Sequence, residues 1–160
     1  QLLDSENMAE LAAFCTGSWA TSAETDAGSG SWEAAACRCL QDLEILEPDW
    51  LALLKQWEQA PELPGFAPQD PEKLERIAVY FAFRYLLKAV NDGDLLGRAQ
   101  FCALGVLVTD RLSRFVGLPE ALRLFSREIE HNGDNLDTLL EQFWQTEGLS
   151  LSALLAAFGG

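Results

Sequence analysis

The sequence predicts an all-α domain, and three observations support this fold class. Apolar residues recur at three- and four-residue spacing, and no segment shows the alternation of a half-buried strand. Gly, Pro, Asp and Ser fall between these periodic blocks, where helices end and begin. With 160 residues and 49% hydrophobic side chains, the chain can bury a substantial core. We therefore expect one domain over residues 1–160, an irregular bundle of six to eight helices around a central antiparallel helix hairpin.

The N-terminal part predicts two helices separated by a polar loop. The first helix covers residues 7–15. Residues 16–31 are rich in Gly, Ser, Thr and Ala without periodicity, which indicates a flexible loop. Ser31 can cap the second helix, which we expect to run to about Leu46.

A third helix is predicted over residues 48–59, because proline is favoured in the first turn of a helix. Its large side chains share one face, which we expect to be buried: Trp50, Leu53, Leu54 and Trp57. Residues 60–69 contain three prolines and a glycine, and they predict an extended Pro-rich connector.

The central hairpin is predicted from residues 71–90 and 94–115. Asp70 and the proline after it form a strong helix start, Gly93 permits a positive φ, and Asp94 can cap the second helix. Apolar side chains cover nearly all sides of the first helix, so we expect it to be buried all round. One side carries Leu74, Ile77, Ala78, Phe81, Tyr85 and Leu86, and the other carries Val79, Phe83, Leu87 and Val90.

Three more helices are predicted after the hairpin. Gly117 ends the second central helix, and the proline two residues later starts a helix over residues 119–131. Asp134 is expected to cap a helix over residues 135–146. Residues 150–158 predict a short amphipathic helix that depends on docking for its stability.

The charge balance restricts the classes of partner. A formal net charge of −14 repels phosphate backbones and anionic lipid surfaces, so we expect neither nucleic-acid nor membrane binding. The uncharged run in the most apolar predicted helix, Ala99–Thr109, is far shorter than the roughly 20 residues that span a bilayer. Lysine-rich protein surfaces remain compatible partners, although such a charge also serves solubility alone.

The four cysteines do not form a metal motif or a disulfide pattern. Cys37 and Cys39 are two apart on a predicted helix and therefore point in different directions. Cys102 lies in an apolar helix, Cys15 stands alone, and no C-x-x-C spacing occurs. We expect no metal site and no cofactor within this chain, and a reducing, cytoplasmic compartment.

One polar constellation lies at the expected tip of the central hairpin and comprises Arg84, Lys88, Asp92, Asp94 and Arg98. Burying such charges costs several kcal/mol unless partners are supplied. Two interpretations fit this pattern. The residues form a charged pocket that orients a carboxylate, a backbone segment or a cofactor phosphate, or they form an ion-pair network that keeps the two helices in register.

A second constellation comprises Glu128, Glu130, His131 and Asn135. Glu128 and His131, three residues apart, match one half of a di-iron carboxylate motif, but no second histidine exists in the chain to complete it. A structural interpretation places His131 at a helix end, where an imidazole meets exposed carbonyl groups.

The five tryptophans also allow two interpretations. They could line an aromatic cage for a methylated amine, but the helical positions of Trp50, Trp57 and Trp144 favour core packing. Trp19, in the predicted flexible loop, is the exception and could dock a partner.

The two constellations lie within segments that resemble the C-terminal half of the flagellin lysine-N-methylase family. The first segment reads F-R-Y-x-x-K-A-x-x-D-G-D at Phe83–Asp94, and the second reads S-R-E-I-E-H-x-x-x-N at Ser126–Asn135. The family also carries an N-terminal cysteine cluster understood to hold a metal centre, and this chain lacks that motif. Because the chain starts at Gln1 rather than Met, we expect it to be the C-terminal part of a longer protein.

The resemblance implies a scaffold or substrate-recognition domain of a protein that transfers methyl groups to lysines of a protein substrate such as flagellin. A methyl donor and an iron–sulfur-type cluster would then be held by other parts of the protein. Glu130 and His131 are the candidates for proton transfer or substrate-lysine contact, and the other members of the two constellations are candidates for substrate or partner binding. The alternative is a non-enzymatic helical protein-interaction domain whose polar turns are structural.

Overall fold

The computed structural model describes residues 31–60 and 70–158. The predicted helix at 7–15 therefore lies outside the described residues, as do nearly all of the predicted loop at 16–31 and of the connector at 60–69. The described part contains seven α-helices longer than one turn and no strand, which confirms the all-α class. In the same part, no helix is both long enough and apolar enough to cross a membrane.

The first two described helices are α1 (Trp32–Asp42) and α2 (Pro48–Gln59). Ser31 caps α1 as predicted, since its Oγ accepts a hydrogen bond of 3.2 Å from the Glu33 amide. The prediction that α1 continues to about Leu46 is wrong, because Leu43 is extended and ends the helix. The bounds of α2 agree with the prediction, and its expected core residues are all buried: Trp50, Leu53, Leu54 and Trp57.

The first helix of the central hairpin is α3 (Pro71–Tyr85), and the Asp70 carboxylate caps it by accepting from the Glu72 amide at 3.0 Å. It does not continue unbroken to Val90. A 3₁₀ turn (Leu86–Lys88) and a four-residue helical turn (Ala89–Asp92) follow it, and the chain then reverses.

The expectation that this first hairpin helix is buried on nearly all sides is wrong. Its buried side chains are Ile77, Phe81 and Tyr85, which lie on the side that meets the second hairpin helix. The opposite side of α3 and of the two turns after it is open, and the apolar side chains there keep most of their accessible surface: Val79 is 58% exposed, Phe83 77%, Leu87 60% and Val90 85%. We call these four residues the exposed apolar stripe.

The second helix of the hairpin is α4 (Leu95–Val116), which is buried nearly all round. Gly93 has a φ of +75°, and the Asp94 carboxylate caps α4 by accepting from the Gly97 amide at 2.9 Å. Gly117, with a φ of +82°, ends the helix. The hairpin is held by an aromatic cluster in which rings from α3, α4 and the next helix meet edge to face: Phe81, Tyr85, Phe101 and Phe125.

The C-terminal part consists of α5 (Leu118–Phe125), a π-helical segment (Ser126–Glu130), α6 (Gly133–Gln142), a 3₁₀ turn (Glu147–Leu149) and α7 (Leu151–Phe158). The predicted Asp134 cap is wrong. The side chain of Asn132 caps α6 instead, accepting from the Asn135 amide at 3.2 Å. The helix also ends at Gln142 rather than at residue 146.

Candidate functional site

Three of the predicted site residues meet two tyrosines beside α3, in a group that we call the tyrosine–glutamate cluster: Tyr80, Arg84, Tyr85, Lys88 and Glu130. The Tyr80 and Tyr85 hydroxyls donate to the same carboxylate oxygen of Glu130, at 2.8 and 2.7 Å. Arg84 donates to the Tyr85 hydroxyl at 3.1 Å, and its Nε lies 3.6 Å from the Glu130 carboxylate. The Lys88 ammonium lies 5.1 Å from the centroid of the Tyr85 ring.

The electrostatics of this cluster favour neutral tyrosines beside the Glu130 carboxylate. Burial raises the pKa of Tyr85, and the neighbouring Glu130 carboxylate raises it further, while Arg84 partly opposes both effects. Burial and Glu130 also raise the pKa of Tyr80. A phenol that stays protonated is a hydrogen-bond donor, so the cluster holds the Glu130 carboxylate in place and leaves the cationic groups of Arg84 and Lys88 near the surface.

The remaining members of the first constellation form a separate group at the hairpin turn. Arg98 donates to the Asp92 carboxylate at 2.6 Å, and Asp92 also accepts from the Asp94 amide at 3.0 Å. These contacts lower the pKa of Asp92, the Asp94 amide being the larger cause and Arg98 the smaller. Among the described residues, no hydrogen bond or ion pair joins this group to Arg84 or Lys88, so the predicted constellation divides in two.

Glu128 and Asn135 both form hydrogen bonds with the backbone of the loop between α1 and α2. The Glu128 side chain is fully buried, and its two carboxylate oxygens accept from the Leu46 and Glu47 amides at 2.9 and 2.7 Å. Asn135 accepts from the Glu44 amide at 2.9 Å and donates to the Glu44 and Glu128 carbonyls, both at 2.8 Å. Because these bonds satisfy the loop amides, α1 ends early.

The π-helical segment explains how Glu128 and Glu130 reach different partners. The His131 amide donates to the Ser126 carbonyl at 2.9 Å, which is the i to i−5 bond of a π-turn. The wider turn places Glu128 against the loop and Glu130 against the two tyrosines, and the Glu130 side chain is only 4% exposed. Such π-turns occur frequently at functional sites.

His131 lies at the end of this segment and does not join the tyrosine–glutamate cluster through any hydrogen bond among the described residues. Its ring is exposed, and Nδ1 lies 3.0 Å from the Ser126 carbonyl oxygen and 3.1 Å from the Ser126 hydroxyl. The imidazole therefore meets a carbonyl group at a helix end, the arrangement that the structural interpretation describes.

The cysteines within the described ranges are buried free thiols. Burial is the main cause that raises the pKa of Cys37 and of Cys102, each to about 12. Cys39 is likewise buried, and its pKa is raised. No group of three or more metal-ligating side chains occurs among residues 31–60 and 70–158.

The tryptophans do not gather into a cage in the described part of the chain. Trp50 and Trp57 are core residues, and Trp32 packs against Trp57 with ring centroids 5.8 Å apart. The core position predicted for Trp144 is wrong, since this side chain is 61% exposed. Trp19 lies outside the described residues.

Sequence reasoning missed the two tyrosines and the exposed apolar stripe. The usable signal was the spacing of the two tyrosines from a predicted cation, since Tyr80 lies four residues before Arg84 and Tyr85 directly follows it. Each phenol can donate a hydrogen bond to a nearby carboxylate. The stripe gave no such signal, because the sequence pattern of an apolar helix face is the same whether or not a neighbouring helix covers that face.

Comparison of the chain with protein-family models, with curated proteins and with solved structures finds no match. The arguments about function therefore depend on the geometry described above and on the resemblance of the two short segments.

Proposed function

We propose that this domain is a protein-binding module, and that the exposed apolar stripe is the surface that contacts its partner. The observation that carries the proposal is the exposure of four large apolar side chains along α3 and the two turns that follow it: Val79, Phe83, Leu87 and Val90. Exposed apolar surface of this kind, bordered by charged residues, is typical of interaction sites.

The charges beside the stripe define the chemistry of the partner. Between Pro71 and Lys88 the basic side chains are Lys73, Arg76, Arg84 and Lys88, and the acidic ones are Glu72 and Glu75. This segment is therefore positive by two charges in a chain whose formal net charge is −14. An acidic amphipathic helix of another protein complements both the apolar side chains and the surrounding cations.

A labelled model peptide tests this proposal. The probe is an 18-residue helix with leucines on one face and glutamates on the other, and its binding to the full chain is measured by fluorescence anisotropy. We expect saturable binding whose affinity falls as the salt concentration rises. The Phe83→Ser variant should bind the peptide about tenfold or more weakly than the wild type, the equivalent of about 1.4 kcal/mol. The matched control is Leu46→Ser, which alters an exposed leucine outside the stripe and should leave the affinity unchanged.

Two results would overturn the proposal. The first is equal affinity for a peptide with lysines in place of the glutamates, because the basic border would then select nothing. The second is a dimer of the chain, seen by sedimentation, that Phe83→Ser dissociates. That result would assign the stripe to a second copy of the chain.

A second candidate function follows from the position of the resembling segments. Arg84, Lys88 and Glu130 belong both to the two segments and to the tyrosine–glutamate cluster. On this proposal the domain is the scaffold or substrate-recognition part of a cytoplasmic lysine-N-methylase-like protein, with the methyl donor and the cysteine-bound cluster held elsewhere. The acidic surface would attract a lysine-bearing substrate such as flagellin.

This candidate is tested by incubating the full-length protein with flagellin and a methyl donor and measuring the mass shifts of lysine-containing peptides. We expect methylation that is strongly reduced when Glu130 and His131 are both replaced by alanine. Methylation by the double variant at the wild-type rate would remove these two residues from the proposal, and no methylation by the wild-type protein would remove the proposal itself.

A further inference from the structure

A second surface feature involves residues other than those of the exposed apolar stripe. A cleft of about 430 Å³ lies between the N-terminal turns of α4 and the chain that joins α6 to α7. Its lining includes Gln100, Trp144, Thr146, Glu147, Ser150 and Leu151. We call it the Trp144 cleft. Its volume falls within the range of small-molecule sites.

Trp144 gives the cleft an open aromatic surface. The side chain is 61% exposed, although its neighbour Phe143 is buried. Leaving a tryptophan largely exposed forgoes the favourable burial of a large apolar surface. The electron-rich face of an indole is also the strongest aromatic partner for a cation, quaternary ammonium groups above all.

Two of the polar groups at the cleft are acceptors, the Gln100 amide oxygen and the Glu147 carboxylate. Gln100 is 95% buried, given its 5% exposure, and its amide nitrogen donates to the Leu149 carbonyl at 2.9 Å. The amide oxygen of Gln100 has no hydrogen-bond donor among the described residues, so it remains an acceptor in the wall of the cleft. The Glu147 carboxylate at the same site forms no ion pair with any described lysine or arginine.

The charges in the lining of the cleft favour a cationic ligand. Glu147 is the charged side chain among the lining residues. No basic side chain lines the cleft. The field there favours a positive ligand and opposes an anionic one.

We propose that the Trp144 cleft binds a small organic cation of the alkylammonium class. The Trp144 ring packs against the charged head, the Glu147 carboxylate supplies the countercharge, and the Gln100 oxygen accepts a hydrogen bond when the ammonium carries a proton. Three ligating carboxylates or imidazoles do not gather anywhere in the described residues, so the site is suited to an organic cation rather than to a metal ion. This inference does not depend on the partner proposed for the exposed apolar stripe.

Titration of the ¹⁵N-labelled chain with tetramethylammonium chloride tests the inference, with sodium chloride at equal ionic strength as the reference. We expect saturable shifts of the Trp144 indole, Gln100 and Glu147 signals that sodium chloride does not produce. Trp144→Leu should weaken binding by about fivefold or more, which corresponds to the upper part of the range for a solvent-exposed cation–π contact. Glu147→Gln should weaken it by a smaller factor.

Glu141→Gln is the matched control, because Glu141 is an exposed carboxylate on α6 outside the cleft, and this variant should bind like the wild type. All three altered side chains are exposed, so the variants should keep the wild-type spectrum elsewhere. The inference is overturned if tetramethylammonium acts no differently from sodium, if Trp144→Leu binds with wild-type affinity, or if Glu141→Gln weakens binding as much as Glu147→Gln.

Discussion

The two helices of the central hairpin, α3 and α4, are both rich in apolar side chains but meet solvent very differently. Of the residues of α3 only three are buried, whereas α4 buries fourteen between Gly97 and Ser113. The reason is the number of neighbours. Helix α4 packs against α2, α3, α5, α6 and α7, whereas α3 packs mainly against α4. Most buried residues of the hairpin are therefore on α4, and its exposed apolar residues are on α3 and the two turns that follow it.

The largest effect is expected from a substitution in α4, the buried helix of the hairpin. Replacing Phe101 of α4 by alanine should destabilise the protein by about 3–5 kcal/mol, because the fully buried ring leaves a cavity among the aromatic side chains. Chemical denaturation monitored by circular dichroism measures the change. Phe101→Leu, with a smaller cavity, provides a value if the alanine variant does not fold. A loss below about 1 kcal/mol for Phe101→Ala would contradict the assignment of the core to α4.

The next effect concerns the contact between α3 and the π-helical segment. Tyr85→Phe removes a donor from the Glu130 carboxylate and should cost about 1.5–3 kcal/mol, the range for a hydrogen bond to a charged group. The raised pKa of Tyr85 also gives a pH dependence with a definite sign. The folded state prefers the neutral phenol, so this contribution is complete below the ordinary tyrosine pKa of about 10 and falls as pH rises above it.

Denaturation midpoints between pH 8 and pH 11 test this dependence. The wild type should lose more stability over that interval than Tyr85→Phe does, since the variant has no phenol at this position to ionise. Parallel curves for the two proteins would show that Tyr85 does not couple to folding through its proton.

A smaller effect is expected where the two helices approach most closely. A Cβ added at Gly105 of α4 would lie 3.0 Å from the ring of Phe81 of α3, which is fully buried and cannot move away. The gain in helix propensity from glycine to alanine is about 1 kcal/mol, and the overpacking costs about 1–3 kcal/mol. We therefore expect Gly105→Ala to destabilise by about 1 kcal/mol. If Gly105→Ala were more stable than the wild type in the same denaturation assay, α3 would have to shift relative to α4 to accommodate the added methyl group.

The smallest effect is expected on the exposed side of α3. Phe83→Ser should change the free energy of unfolding by about 0.5 kcal/mol or less, because the ring is 77% exposed. Thermal unfolding of the isolated chain measures it. A loss above about 2 kcal/mol would show that the stripe is covered within the folded chain, and the comparison between the two helices would fail.

Local signals accounted for most of the helix boundaries. The Ser31 and Asp70 caps, the start of α2 at Pro48, and the positive φ of Gly93 depend on residues within one turn of the feature, and the structure confirms each of them. The wrong boundaries have distant causes. The α1 helix ends at Asp42 because Glu128 and Asn135, more than 80 residues later in the chain, bind the backbone of the following loop.

The contacts of the candidate site also fall into two classes, those between residues near in sequence and those between distant residues. The charge pairs close in sequence, such as Asp92 with Arg98, lie in one turn and were grouped together by spacing alone. The contact of Glu130 with Tyr80 and Tyr85 spans 45 to 50 residues and requires the π-helical segment, which no residue pattern in the sequence indicated.

The sequence by itself determined the all-α class, the position of most helices and the strongly acidic balance, because helix periodicity, capping and charge are properties of neighbouring residues or of composition. Only the tertiary structure decided which apolar faces are covered. Phe83, Val90 and Trp144 resemble core residues in the sequence, and they are exposed because no helix of the described part packs over them. Whether a side chain is buried depends on the helix that packs against it, and that helix belongs to a distant part of the chain.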